Sequence, residues 1–125
     1  MAGKIRITAG EVSLEADLWE EPTAALLWEK LPIEGRANLW GEEIYFEIPL
    51  EAPSEPGARE EMEVGEIAYW PPGKAFCIFF GPTPASSGEA LRAASPVNPL
   101  GRISGDAGAF LSVPQGANIS ITRAE

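Results

Sequence analysis

A chain of 125 residues with 45% hydrophobic and 22% charged content is long enough to bury roughly two-thirds of the surface its unfolded form exposes, so one domain spanning residues 1–125 is expected. Nineteen carboxylates against nine basic side chains give a formal charge of -10, a field that repels phosphate backbones and anionic membrane surfaces and argues against nucleic acid or membrane as a partner. The absence of histidine and the presence of one cysteine, Cys77, exclude His-based triads and general bases, the usual zinc sites and an internal disulfide.

No cofactor is called for by any motif. No run approaches the ~20 apolar residues of a membrane-spanning helix, and "MAGKIRIT" lacks the charged start and apolar stretch of a signal peptide, so a cytoplasmic protein is expected. Few Asn and Gln beside many Glu and Pro lean toward a thermophile composition.

In chain order, Ile5 and Ile7 alternate with Lys4, Arg6 and Thr8, "AGE" turns the chain, and Val12, Leu14, Ala16 and Leu18 alternate with polar residues. Period two with acids outward predicts a hairpin with one buried face. In "EEPTAALLWEKLP" the period changes: Ala24, Leu27, Trp28 and Leu31 fall at i, i+3, i+4 and i+7, Glu20 and Glu21 sit at the positive end of the dipole, and Pro32 stops the run. This predicts the main helix, with Trp28 in its apolar stripe.

"EIYFEIPL" then predicts a strand with Ile44, Phe46 and Ile48 on one face and Tyr45 and Glu47 on the other. "EAPSEPGARE" reads as a loop, and strand pattern resumes near Glu63 through "GEIAYW". "PPGK" has the chemistry of a tight turn with Gly73 free for positive φ. It leads into "AFCIFF", an apolar run buried on both faces. Gly81 to Pro99, rich in Pro and Ser, predicts a long loop, with a helical turn or two available to "GEALRAA". "GRIS", "AFLSV", a "PQGA" turn and the alternating "NISITR" end the chain. The pattern is mostly β with one helix near the N-terminus.

The chemistry-bearing motifs are sparse. There is no P-loop, dinucleotide fingerprint or nucleophile elbow. The acidic stretch from Gly41 to Glu66, with Arg59 as its basic residue, lacks EF-hand spacing and reads as a solvated face. Cys77 lies within an apolar run and reads as a packed thiol. An aromatic concentration remains, formed by Trp40, Tyr45, Tyr69, Trp70, Phe76, Phe79 and Phe80. Trp40 and Trp70 flank turns, where an indole can rim a pocket.

"LPIEGRANLWGEEIYFEIP", "EVGEIAYWPPGKAFCIFFGPTP" and "ASPVNPLGRISGD" resemble the pattern of the cyclophilin-like domain family of small prokaryotic proteins, over nearly the whole chain. The resemblance implies a closed antiparallel β-barrel of about eight strands with a helix plugging one end, and no established reaction. A fainter resemblance runs to the cyclophilins, the peptidyl-prolyl isomerases. Where these carry a phenylalanine-histidine-arginine segment whose arginine polarises the prolyl amide, this chain has "IYFEIP", placing Glu47 about where that arginine stands. Their "FxxQGG" segment and the later tryptophan and histidine of the pocket have no counterparts.

The resemblance thus implies a groove that binds a small molecule or peptide segment without established catalysis. The alternatives are an isomerase of low activity and a protein-interaction module. Strand alternation puts Tyr45 and Glu47 on the groove side together with Cys77 and Phe79. Trp40 and Trp70 rim the groove, and Thr83, Ser95 and Asn98 overhang it from the long loop. No metal site is expected, and oligomeric state is left open.

Overall fold

The structure, a computed structural model, describes residues 3–86 and 91–124. Ten strands and one α-helix are formed: β1 (Lys4–Ala9), β2 (Val12–Leu18), α1 (Pro22–Lys30), β3 (Ile33–Arg36), β4 (Asn38–Leu39), β5 (Glu43–Glu47), β6 (Arg59–Met62), β7 (Glu66–Trp70), β8 (Ala75–Phe79), β9 (Leu91–Ile103) and β10 (Asn118–Arg123). The sheet order is β3-β10-β1-β2-β9-β7-β8-β5-β4, with β6 paired to β9 off this path, and every pairing is antiparallel. The described residues thus form ten strands rather than about eight, and β3, β4 and β6 are short pieces that sequence periodicity does not resolve.

The two end strands of the order, β3 and β4, are separated in the chain by Ala37 alone. The two ends of the sheet order are therefore neighbours along the chain. One side of the sheet holds the larger core, in which Ile5, Ile7, Leu18, Ile44, Phe46, Ile67, Tyr69, Phe76, Ile78, Phe110 and Ile121 pack together. Helix α1 adds Ala24 and Leu27 to that core, and Trp28 lies half-buried against it. Arg123 of β10 stacks on the Trp28 ring at 4.6 Å.

The helix is capped from a distance. No side chain of its own start caps it; the Glu55 carboxylate, on the loop after β5, accepts from the Thr23 N–H (2.8 Å) and from the Thr23 hydroxyl. A carboxylate there satisfies an orphan donor and complements the helix dipole. No helix among the described residues is long and apolar enough to cross a membrane.

The stretch expected to be a loop from Gly81 to Pro99 is corrected: from Leu91 onward it is the 13-residue strand β9. Leu91–Ala94 of "GEALRAA" are extended rather than helical; residues 87–90 lie outside the described residues. The turn after β7 also differs from expectation. Pro71–Gly73 forms one 3-10 turn, and the positive φ falls on Lys74 (φ 50) rather than on Gly73.

A second, smaller core lies on the other face of β7 and β8. It contains Met62, Ala68, Ala75, Cys77, Phe79, Leu91, Ala93 and Val97, with Tyr45 and Trp70 packed at its border. Strand β6 and the first half of β9 form a ribbon that covers this face. The apolar run "AFCIFF" is buried on both sides for this reason, with Phe76, Ile78 and Phe80 in one core and Cys77 and Phe79 in the other.

Candidate functional site

The ribbon does not lie flat on the sheet. Arg59 pairs with Val97 and Glu61 with Arg92, so two steps along β6 are matched by five along β9, and the intervening residues of β9 bulge. A bulge re-aims side chains and opens space beside the ladder. Here Ala93, Ala94 and Val97 line a cavity of about 220 Å3. The remaining walls are Glu43 and Tyr45 of β5, Cys77 of β8, Trp70 at the end of β7, and Trp40 in the turn between β4 and β5.

Each wall is held in place. Tyr45 stands opposite Cys77, and Glu43 opposite Phe79, in the β5–β8 register. The Trp70 indole N–H donates to the Ser95 hydroxyl (2.7 Å), which ties the tryptophan to the bulge, and its ring lies over Gly73, where an added Cβ would come within 2.7 Å of it. The turn carrying Trp40 is braced by the segment after β8, with the Glu42 N–H donating to the Pro82 carbonyl (2.8 Å). The hydroxyl of buried Thr83 donates to the Arg92 carbonyl and so fastens that segment to β9.

Glu43 is the charged group in the lining. It is 5% exposed, and its Oε1 has no hydrogen-bond partner. Burial raises its pKa from 4.5 to about 7, against the opposing effect of a hydrogen bond with the Cys77 thiol. Burial, followed by the charge and hydrogen bond of Glu43, pushes the thiol well above its ordinary range. Cys77 is consequently a neutral S–H at physiological pH and a poor nucleophile. The cavity presents aromatic and methyl surface, and Glu43 brings the one carboxyl group among its described lining residues.

Of the nine residues singled out in the sequence, the structure brings Trp40, Tyr45, Trp70 and Cys77 together around the cavity. Ser95 adjoins it through Trp70. The other four stand elsewhere. Glu47 shares the strand face of Tyr45 but is exposed at the far end of β5, beside a surface depression with Lys30 and Lys74. Phe79 is fully buried in the smaller core, and Thr83 is consumed in bracing. Asn98 is fully buried, donating to Thr23 Oγ1 (3.0 Å) and the Pro53 carbonyl (2.9 Å) and accepting from the Glu55 N–H (2.9 Å). It joins β9 to the helix and the Pro-rich loop.

Sequence reasoning missed Glu43, Ala93, Ala94 and Val97. Glu43 sits two positions before Tyr45 and so shares its strand face, a signal that was present but obscured by the density of acids around it. The β9 residues carried no strand signal.

No curated protein matches the chain. Among solved structures it is similar to the solution structure of the hypothetical protein AF2241 from Archaeoglobus fulgidus, at 37% identity and a TM-score of 0.83 over 98% of this chain and 95% of that one. The pattern of the Cyclophilin-like family matches residues 3–122, and with the antiparallel sheet, single main helix and covered β7–β8 face already described, the chain belongs to that family.

Proposed function

We propose that this protein is a binding protein for a small organic guest held in the cavity between the β5–β8–β7 face and the β9 bulge, on a curled sheet that closes as a barrel. The carrying observation is Glu43: a carboxyl that is 5% exposed, with an orphaned Oε1, in the wall of an otherwise apolar cavity. Buried polar atoms without partners cost about 1–3 kcal/mol, and a guest with a hydrogen-bond donor removes that cost. An engineered apolar cavity of about 150 Å3 accommodates benzene, so about 220 Å3 suits a guest of one ring or a short branched chain. Prolyl isomerisation has less support, since Glu47, standing where the cyclophilin pattern has its arginine, is an exposed acid that donates nothing to an amide when ionised.

The test is a fragment screen by ligand-observed NMR and thermal shift. At least one class of one-ring fragments binds and raises Tm; Ala93→Leu, which fills the cavity, abolishes the effect, and Glu47→Ala leaves it intact. Fragments that bind equally well to Ala93→Leu, or a screen without any hit, overturn the proposal.

A further inference from the structure

Resting on that reading of the cavity, we infer that its guest is a small organic cation, an ammonium or amidinium on a short apolar body, that pairs with the Glu43 carboxylate with its charge among the rings of Trp40, Tyr45 and Trp70. Among the described residues the lining holds one acid and no base. The basic side chains nearest along these strands are engaged elsewhere: Arg92 with Glu60 (4.0 Å), Lys74 with Glu51 (3.6 Å), and Arg59 in a two-pronged bond to Glu66 (2.9 and 3.0 Å). Among the described residues the charge of Glu43 is thus uncompensated, and the aromatic walls supply the quadrupoles that favour a cation. An anionic guest meets an acid in a protein of charge -10. A neutral guest leaves the carboxylate without a counter-charge in a desolvated place.

Proton linkage makes the choice measurable. The titratable groups facing Glu43 are Tyr45 on its own strand and Cys77 from β8; β7 contributes Trp70, and β9 contributes Ala93, Ala94 and Val97, none of which titrates. Because burial holds the carboxyl near neutrality, a cation binds the ionised form and expels a proton at mildly acid pH. A neutral acceptor takes its hydrogen bond from the protonated form and binds better in acid.

The experiment uses the intact protein with two matched probe series, alkyl- and benzylammonium against the alcohols of the same shape, followed by tryptophan fluorescence and calorimetry at pH 6 and pH 8. The cations are expected to bind at least about tenfold more tightly than the alcohols at pH 8. They weaken by roughly tenfold at pH 6, as a carboxyl titrating near 7 requires, with proton release visible in buffers of different ionisation enthalpy. Glu43→Gln erases both the preference and the pH dependence. Glu42→Gln, whose carboxyl lies against Gly81, retains them. Alcohols binding as tightly as ammonium probes, or more tightly at pH 6 than at pH 8, overturn the cation assignment while leaving a small-guest cavity standing. Failure of both series, together with the fragments above, to bind removes the cavity reading itself.

Discussion

Gly73 and Lys74 divide the work of the turn between β7 and β8 in a way their residue types do not announce. Lys74 takes the left-handed conformation (φ 50), where a side chain costs roughly 1–2 kcal/mol, while Gly73 is required for closeness: its missing Cβ leaves room for the Trp70 ring, which would otherwise stand 2.7 Å away. The proline pair before them sets the 3-10 turn that delivers this geometry. Two substitutions separate the roles. Gly73→Ala is expected to cost about 1–3 kcal/mol through overpacking and to shift Trp70 fluorescence, since the ring is displaced from its bond to Ser95. Lys74→Gly should change stability by less than about 1 kcal/mol, relief of the left-handed strain being offset by the added freedom of the unfolded chain. Urea denaturation of both variants checks the ranking, and a costlier Lys74→Gly would refute it.

Among the elements, β9 decides both the fold and the site, and it is the one least visible in the sequence. Its Pro96 and Pro99 break the pattern by which strands are read, yet both are accommodated: Pro99 stands opposite Ala68 next to a register shift in the β7–β9 ladder, and Pro96 falls in the bulge opposite β6. Irregular ladders need fewer backbone donors, so prolines that look like loop residues become the means of bending a strand around the cavity. By contrast β5 and β8 were legible. Ile44, Phe46 and Ile48 are buried against the larger core and Tyr45 faces the cavity, because period two transmits directly from sequence to face. Tyr45 and Cys77 followed from that alternation, and Trp40 and Trp70 from their places beside turns; the β9 wall did not, since it depends on a pairing register between residues far apart in the chain.

Asn98 is the residue through which β9 holds its neighbours, with three hydrogen bonds reaching the helix and the loop that caps it. Asn98→Ala is therefore expected to lose about 2–4 kcal/mol, leaving buried partners unsatisfied. It should also speed cleavage after Glu51 by a Glu-specific protease, because the loop loses its anchors at Pro53 and Glu55. Unchanged proteolysis would show that the loop is held by other means.

At the scale of the whole molecule, two buried carboxyls pull the pH dependence of stability in opposite directions. Burial also acts on Glu66 to raise its pKa, but hydrogen bonds from the Arg59 side chain and the Glu63 backbone, with the charges of Arg59 and Arg102, outweigh it and hold the group below its ordinary value. Its stabilisation is complete above the unfolded-state pKa, about 4.3, and is lost as pH falls through the lower folded value. Glu43 has the reverse sign. Between 4.5 and about 7 the folded state retains a proton that the unfolded chain has released, so stability falls with rising pH across that interval and then levels. The accumulated loss is about 3 kcal/mol for a shift of this size. The unliganded protein should accordingly be most stable in mildly acid solution, near pH 5. Chemical denaturation from pH 3 to pH 9 tests both limbs. Glu43→Gln should gain about 2–3 kcal/mol relative to the parent between pH 5 and pH 8, flattening the alkaline limb alone, whereas Glu66→Gln should flatten only the acid limb. A difference between Glu43→Gln and the parent that does not change with pH would mean that Glu43 is solvated in the folded protein, and would remove the orphaned carboxyl on which the binding function rests.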